Sequence, residues 1–266
     1  MTEELLAKIK QLPPLPESAM QIEAIYQDPN SSFNDMVKIL EKDPLLTADI
    51  LKAANSPLYG FSREINAISQ AVGLFGMGTI RGFALASIVK KSFSLDLSAY
   101  GITNEMFSEL SKRQHALTTA WCIRKENKLL GVLSPAAFLV EIGKVLIAQE
   151  VMAEKKQAEF RDALKELQDV EAAELKVVGT DTPDVSSTIF AMWKFEKGLI
   201  EVIKYCQEPE KAEPEYQKAA SILKVVRAAV PINGVMTDES VAAAKELVVK
   251  YELDMESFDK ALESAR

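Results

Sequence analysis

Apolar positions recur every three to four residues along almost the whole chain, and no stretch keeps the strict alternation of a half-buried strand. The pattern predicts helices over 3–10, 17–27, 33–41, 44–54, 66–74, 77–93, 103–127, 135–152, 155–167, 169–178, 183–194, 197–206, 214–229, 239–250 and 255–264. Several starts carry their own marker. Asp43-Pro44, Ser134-Pro135 and Thr182-Pro183 each offer a capping oxygen followed by proline at the first helical position, where its missing N–H costs nothing. Ser31 or Ser32 can cap the helix that runs through Leu40. The segment QLPPLPES at 11–18 is stiff and extended because each proline fixes φ and disfavours helix in the residue before it. It reads as an ordered connector, with docking of a partner as a polyproline stretch the alternative. Softer breaks fall near Ser94–Thr103 and Glu208–Glu215, and the Ala/Glu/Lys-rich stretch at 150–180 reads as a solvated helical hairpin.

Composition narrows the class. Apolar residues make up 48% and charged residues 26%, enough for a proper core in one large domain or two small ones. A net charge of -8 repels phosphate backbones, and no basic cluster with interleaved aromatics offsets it, so no nucleic-acid partner is expected. The densest basic pair, Lys90-Lys91, reads as a cap on a helix C-terminus. The start MTEELLAKIK is not a signal peptide, and no uninterrupted apolar run is long enough for a bilayer; a cytoplasmic protein without membrane contact is expected. Cys122 and Cys206 fit reduced thiols better than a disulfide scaffold.

The chemical inventory is thin. GxxxxGKS/T, GxSxG, HExxH and paired CxxC motifs are absent. Gly76-Met77-Gly78 opens a helix without the strand a phosphate loop needs, so it reads as a backbone hinge or a close helix contact. The chain has one histidine, His115, which cannot build a multi-histidine metal site. Cys122 lies seven residues on, about 10 Å along the axis, too far to share an ion with it. His115 occupies a narrow semi-polar stripe with Ser108, Ser111, Thr118, Thr119 and Cys122, whereas Leu110, Leu117 and Trp121 face elsewhere. Glu141 sits on a mostly apolar stripe with Lys144 one turn away, costly unless paired. Two readings follow for this pair of residues. His115 is satisfied by a neighbouring hydroxyl or carbonyl and Glu141 by an ion pair, or the two line a small polar pocket able to hold a ligand.

Three strings, LPPLPESAMQIEAIYQDPNSS, MVKILEKDPLLTADILKAANSPLYGF and INAISQAVGLFGMGTIRGFALA, follow one another in the first hundred residues. Together they resemble the opening of an HDOD domain, a helical module of bacterial signalling proteins, and the likeness continues more weakly to about residue 210. The resemblance implies an all-α, HD-domain-like multi-helix bundle with an N-terminal helical subdomain. It would comprise an HDOD module at 8–212, split into about 8–95 and an HD-like core at about 100–212, with a C-terminal helical extension at 213–266 packed on it. HDOD domains resemble the metal-binding HD phosphohydrolases. His115 matches the first histidine ligand of that superfamily, and FLVEIGK at 138–144 matches its His-Asp segment, with Val140 for the histidine, Glu141 for the aspartate, and Gly143 and Lys144 retained. The neighbourhoods of later histidines hold Thr182-Pro183 and Tyr205-Cys206, and the final aspartate would fall near Ala228-Ala229.

Metal binding needs several ligands on one centre, and His115 with Glu141 would leave a divalent ion mostly to water. The departure implies no catalytic residues, no metal and no cofactor, with His115, Val140, Glu141 and Lys144 forming a vestigial pocket. The expected function is a non-catalytic regulatory module working through a separate signalling protein or a small ligand. The alternatives are a divergent metal-dependent phosphohydrolase and a nucleotide sensor that keeps the ancestral pocket for binding.

Overall fold

The fold is described by a computed structural model covering residues 1–265. Among the described residues the regular structure consists of fifteen α-helices and five short 3₁₀ turns, with no strand. The first five are α1 (Glu3–Lys10), α2 (Glu17–Gln27), α3 (Phe33–Glu41), α4 (Pro44–Ala54) and α5 (Ile68–Lys91). The next five are α6 (Asn104–Cys122), α7 (Leu130–Leu139), α8 (Gly143–Ala153), α9 (Gln157–Leu167) and α10 (Val170–Val178). The last are α11 (Thr182–Met192), α12 (Lys197–Lys204), α13 (Pro214–Ala229), α14 (Asp238–Lys250) and α15 (Met255–Ala265). The expected all-α bundle is what forms.

Local chemistry explains most boundaries. Asp43 accepts from the amides of Leu45 and Leu46, with Pro44 beginning α4. Ser32 and Asp35 form a reciprocal capping box on α3. Asp181, rather than Thr182, caps α11. Gly76 takes φ 77°, a left-handed angle that splits α5 where the sequence suggests two helices, and the chain behind it passes close to α7. There a Cβ on Gly78 would lie 3.0 Å from the Cα of Gly131. The hinge and the close contact are therefore both present.

One boundary departs from expectation. The helix predicted from Pro135 starts five residues earlier, so Pro135 lies inside α7 and Ser134 is no cap. A proline cannot donate to the carbonyl four residues back. That carbonyl belongs to Gly131, and it accepts instead from the Arg81 guanidinium at 3.1 Å. A buried arginine thus satisfies the group that the proline orphans. After α7, a single 3₁₀ turn at Val140–Ile142 interrupts the expected helix before α8 begins.

In the first part of the chain α5 is central, packing on α2, α3, α4 and α7. The second part gathers α6, α7, α8, α11 and α12, with α13 laid across α6, α7 and α12 and α15 against α6. Arg81 ties the two together. It is fully buried, grips Glu23 at 2.6 and 2.8 Å, reaches Glu196 at 2.7 Å and lies under the Tyr26 ring. The proline-rich segment is an ordered connector: Leu15 is buried and the Trp193 indole donates to the carbonyl of Pro13. Helices α9 and α10 do form a hairpin, but not a merely solvated one, because Glu174 of α10 is wholly buried against the core. Ile68–Lys91 and the stretch Asn127–Ala153 are long and apolar enough by length and composition to cross a bilayer, although Arg81 interrupts the first and Glu141 and Lys144 the second. Their apolar windows are 61% and 89% buried inside the protein, the disposition of core helices.

Candidate functional site

Two polar centres lie in the second half of the molecule, and the candidate residues divide between them. His115, fully buried on α6, meets the Tyr59 hydroxyl at Nδ1 (2.6 Å) and the Ser134 hydroxyl at Nε2 (2.8 Å). Its ring stacks on Phe138 with centroids 4.0 Å apart, and Phe83 closes another side. Burial alone pushes its pKa down to about 3, so the ring is neutral and one nitrogen accepts while the other donates. Tyr59 lies near the end of the string MVKILEKDPLLTADILKAANSPLYGF, and that string is built for architecture. Asp43 caps α4, Thr47 donates to Leu40, and Asn55 holds both the N–H and the C=O of Ile65 at 2.8 Å. The turn so fixed delivers Tyr59 to His115.

The second centre surrounds Glu141 in the 3₁₀ turn before α8. Its carboxylate accepts from Arg227 Nε (2.8 Å) and Nη2 (3.3 Å), from Gln114 Nε2 (3.0 Å) and from Lys144 Nζ (2.9 Å). Lys144, 1% exposed, also lies 3.4 Å from Glu174, 3.7 Å from Glu171 and 3.0 Å from the Thr182 hydroxyl. Arg227 further binds Glu171 at 2.5 Å and the Cys206 sulfur at 3.7 Å. Burial would raise the Glu141 pKa, but Arg227 and Lys144 hold it well below the usual carboxylate range. Burial would likewise depress Lys144, yet the three carboxylates drive its pKa up. Glu174 is raised, chiefly by burial and then by Glu171, against the pull of Lys144, Thr182 and Tyr100. A cavity of about 500 Å³ opens beside this network, lined by Glu141, Lys144, Glu171, Lys224 and Arg227 among others.

His115 and Val140 do not line that cavity. The expected pocket joining His115 to Glu141 is therefore corrected: the two side chains share no partner among the described residues. The cause is one residue of helical phase. Gln114, a 100° turn from His115, is the α6 side chain that reaches Glu141. Val140 is buried and contributes its carbonyl, which accepts from Ser186. Glu141 and Lys144 do come together, as the ion-pair reading required. Arg227 and Gln114 were missed. Arg227 carried a weak signal, a lone cation in the apolar run ILKVVRAAV, directly before the Ala228 where the final aspartate was sought.

The donor set at this centre does not fit a metal ion. A divalent ion needs free anionic or neutral ligands, but Lys144 and Arg227 place two fixed cations among three carboxylates. Among the described residues, the carboxylates within ligand reach of one another are elsewhere, at Glu4, Glu150 and Glu154, where Lys8 and Lys156 pair with Glu150 and Glu154.

The HDOD domain family model matches residues 12–209. The chain belongs to the HDOD family. Solved structures show the same fold. A candidate phosphohydrolase from Shewanella amazonensis SB2B is 23% identical, with a TM-score of 0.74 over 99% of this chain and 94% of that one. An HDOD domain protein from Geobacter sulfurreducens is 17% identical, with a TM-score of 0.71 over 98% and 91%. A candidate signal transduction protein from Marinobacter aquaeolei VT8 is 20% identical, with a TM-score of 0.72, and the HDOD chain spans 60% of it. A Treponema pallidum protein shares 30% identity over 70 residues, which is 26% of this chain and 14% of that protein.

Proposed function

We propose that this HDOD protein is a non-catalytic regulatory module of bacterial signal transduction, working in the cytoplasm through contacts with a separate signalling protein. The observation that carries the reading is the occupation of the Glu141 centre by Lys144 and Arg227. These tethered cations neutralise the carboxylate that stands where an HD enzyme has its aspartate. They leave no lone pairs free to gather an ion and activate water. A scaffold can outlast its chemistry, so the fold shared with candidate phosphohydrolases does not restore the activity. The nucleotide-sensing alternative at this same cavity loses support too, since Lys144 is already saturated by acidic partners.

The test is direct. Purified full-length protein, incubated with manganese, iron, zinc or magnesium, should retain less than one equivalent of metal by elemental analysis. It should not hydrolyse phosphomonoesters, phosphodiesters or cyclic dinucleotides above blank. A stoichiometric ion together with turnover lost in Glu141→Ala would overturn the reading.

A further inference from the structure

The acidic chain hides a basic recess. A cavity of about 320 Å³ lies where α4, α5, α6 and α7 meet. Four lysines line it, Lys52, Lys90, Lys91 and Lys112, against one carboxylate, Asp49. Asp49 is already engaged by Lys91 at 2.8 Å and the Ser87 hydroxyl at 2.6 Å. Among the described residues Lys112 has only Glu109 as a carboxylate partner, 3.8 Å away on its own helix. Lys90 is half-buried with a single polar contact, the Ser108 hydroxyl at 3.2 Å. Among the described residues no carboxylate lies within 4.0 Å of Lys90 or Lys52. The floor is apolar, formed by Phe83 and by Phe138, whose ring leans on His115.

We infer that this recess is a binding site for a small organic phosphate of nucleotide size, its phosphates among Lys52, Lys90 and Lys112 and its apolar portion over Phe83 and Phe138. A cap on a helix C-terminus accounts for a lysine in solvent, not for one withdrawn from water beside a like charge. Holding Lys90 next to Lys112 costs desolvation and repulsion, and a bound phosphate offsets both. The same two causes, burial first, bring Lys90 down to about 8. The volume is at the lower end for small-molecule sites, which suits a nucleoside mono- or diphosphate. The site is separate from the Glu141 centre, so its failure would leave the partner-mediated reading standing.

Calorimetry on the full chain in low salt with EDTA tests it, using ADP, GDP, ribose 5-phosphate, pyrophosphate and adenosine as probes. One nucleoside diphosphate should bind at one per chain, more tightly than pyrophosphate, and adenosine should not bind. Lys90→Met and Lys112→Met should each weaken binding about tenfold, the worth of one charge-assisted hydrogen bond. Lys52→Glu, at an exposed position, should do the same without touching the fold. The groups facing Lys90 are Asp49 and Lys52 of α4, Ser87 and Lys91 of α5, and Ser108 and Lys112 of α6. With Lys90 brought down to about 8, affinity should fall several-fold between about pH 7.5 and about pH 9 in the wild type, and Lys90→Met should flatten that fall. Absence of binding by every phosphate probe at millimolar concentration would overturn the inference. So would binding that survives Lys90→Met, Lys112→Met and Lys52→Glu unchanged, or pyrophosphate binding as tightly as both diphosphates.

Discussion

Lys144→Met separates a cation that holds the core together from one that merely lines a cavity. Methionine keeps the stem and nearly the volume, so the change removes an ammonium without opening a void. What remains is a cluster of three buried or half-buried carboxylates, of which two are paired with Arg227. Glu141 and Glu171 keep that guanidinium, while Glu174 keeps only the neutral donors Thr182 and Tyr100, at 2.6 to 2.8 Å. Breaking a buried ion pair by removing one partner costs about 3–5 kcal/mol, and the surviving partners set this case near 3 kcal/mol. For a chain of this size that is a fall in Tm of roughly 6–12 °C. Urea unfolding across pH supplies the second half of the argument. Glu174 already has a raised pKa, and losing Lys144 removes the charge that opposed the rise. A carboxyl raised in the folded state stabilises below its unfolded pKa and loses that contribution as pH rises through the folded value. The deficit of Lys144→Met should therefore be largest near pH 8 and shrink toward pH 5. A variant within about 1 kcal/mol of wild type at every pH, or a deficit that grows on acidification, would refute the account of the network.

The single histidine gives an unusually clean titration. Its folded pKa of about 3 lies below the ordinary value, so acid favours the unfolded chain; the stability is full above about pH 6.5 and is lost as pH falls toward 3. Wild type should lose up to about 1.4 kcal/mol per pH unit more than His115→Gln over that window, and equal slopes would show His115 to be hydrated. Gly143→Ala tests the tight passage of α8: its Cβ would sit 2.5 Å from the backbone oxygen of Thr182, so thermal melting should register a loss of about 1–3 kcal/mol. Melting unchanged from wild type would mean the two helices can part at no cost.

Helix ends were legible where their chemistry is local. Asp43 and Ser32 accept from amides two or three residues on, and such caps are written in adjacent residues. Pro135 defeated the same logic because its compensation comes from Arg81, more than fifty residues away and on another helix. The candidate site shows the same divide. Glu141 and Lys144 are three residues apart, and their pairing could be read from helical spacing. Gln114 and Arg227 reach Glu141 across the fold, and no local period announces them. The lone histidine drew attention for its chemistry, yet its position on α6 turns it toward Tyr59 and Ser134 rather than toward the carboxylate.

Arg227 bears on how the regions of the chain depend on one another. It lies on α13, past residue 209 where the family match ends, yet it makes the Glu141 and Glu171 contacts that close the centre. Without α13, Glu141 would keep Lys144 at 2.9 Å and the neutral Gln114 at 3.0 Å, Glu171 would keep Lys144 at 3.7 Å, and a single ammonium would face two buried acids and a half-buried one. An unmatched buried charge is among the costliest defects a core can carry. The C-terminal helices are therefore more than a cover packed on the outside. Through Arg227, α13 supplies the second of the two cations paired with Glu141 and Glu171, so the segment following the family module completes the buried charge network.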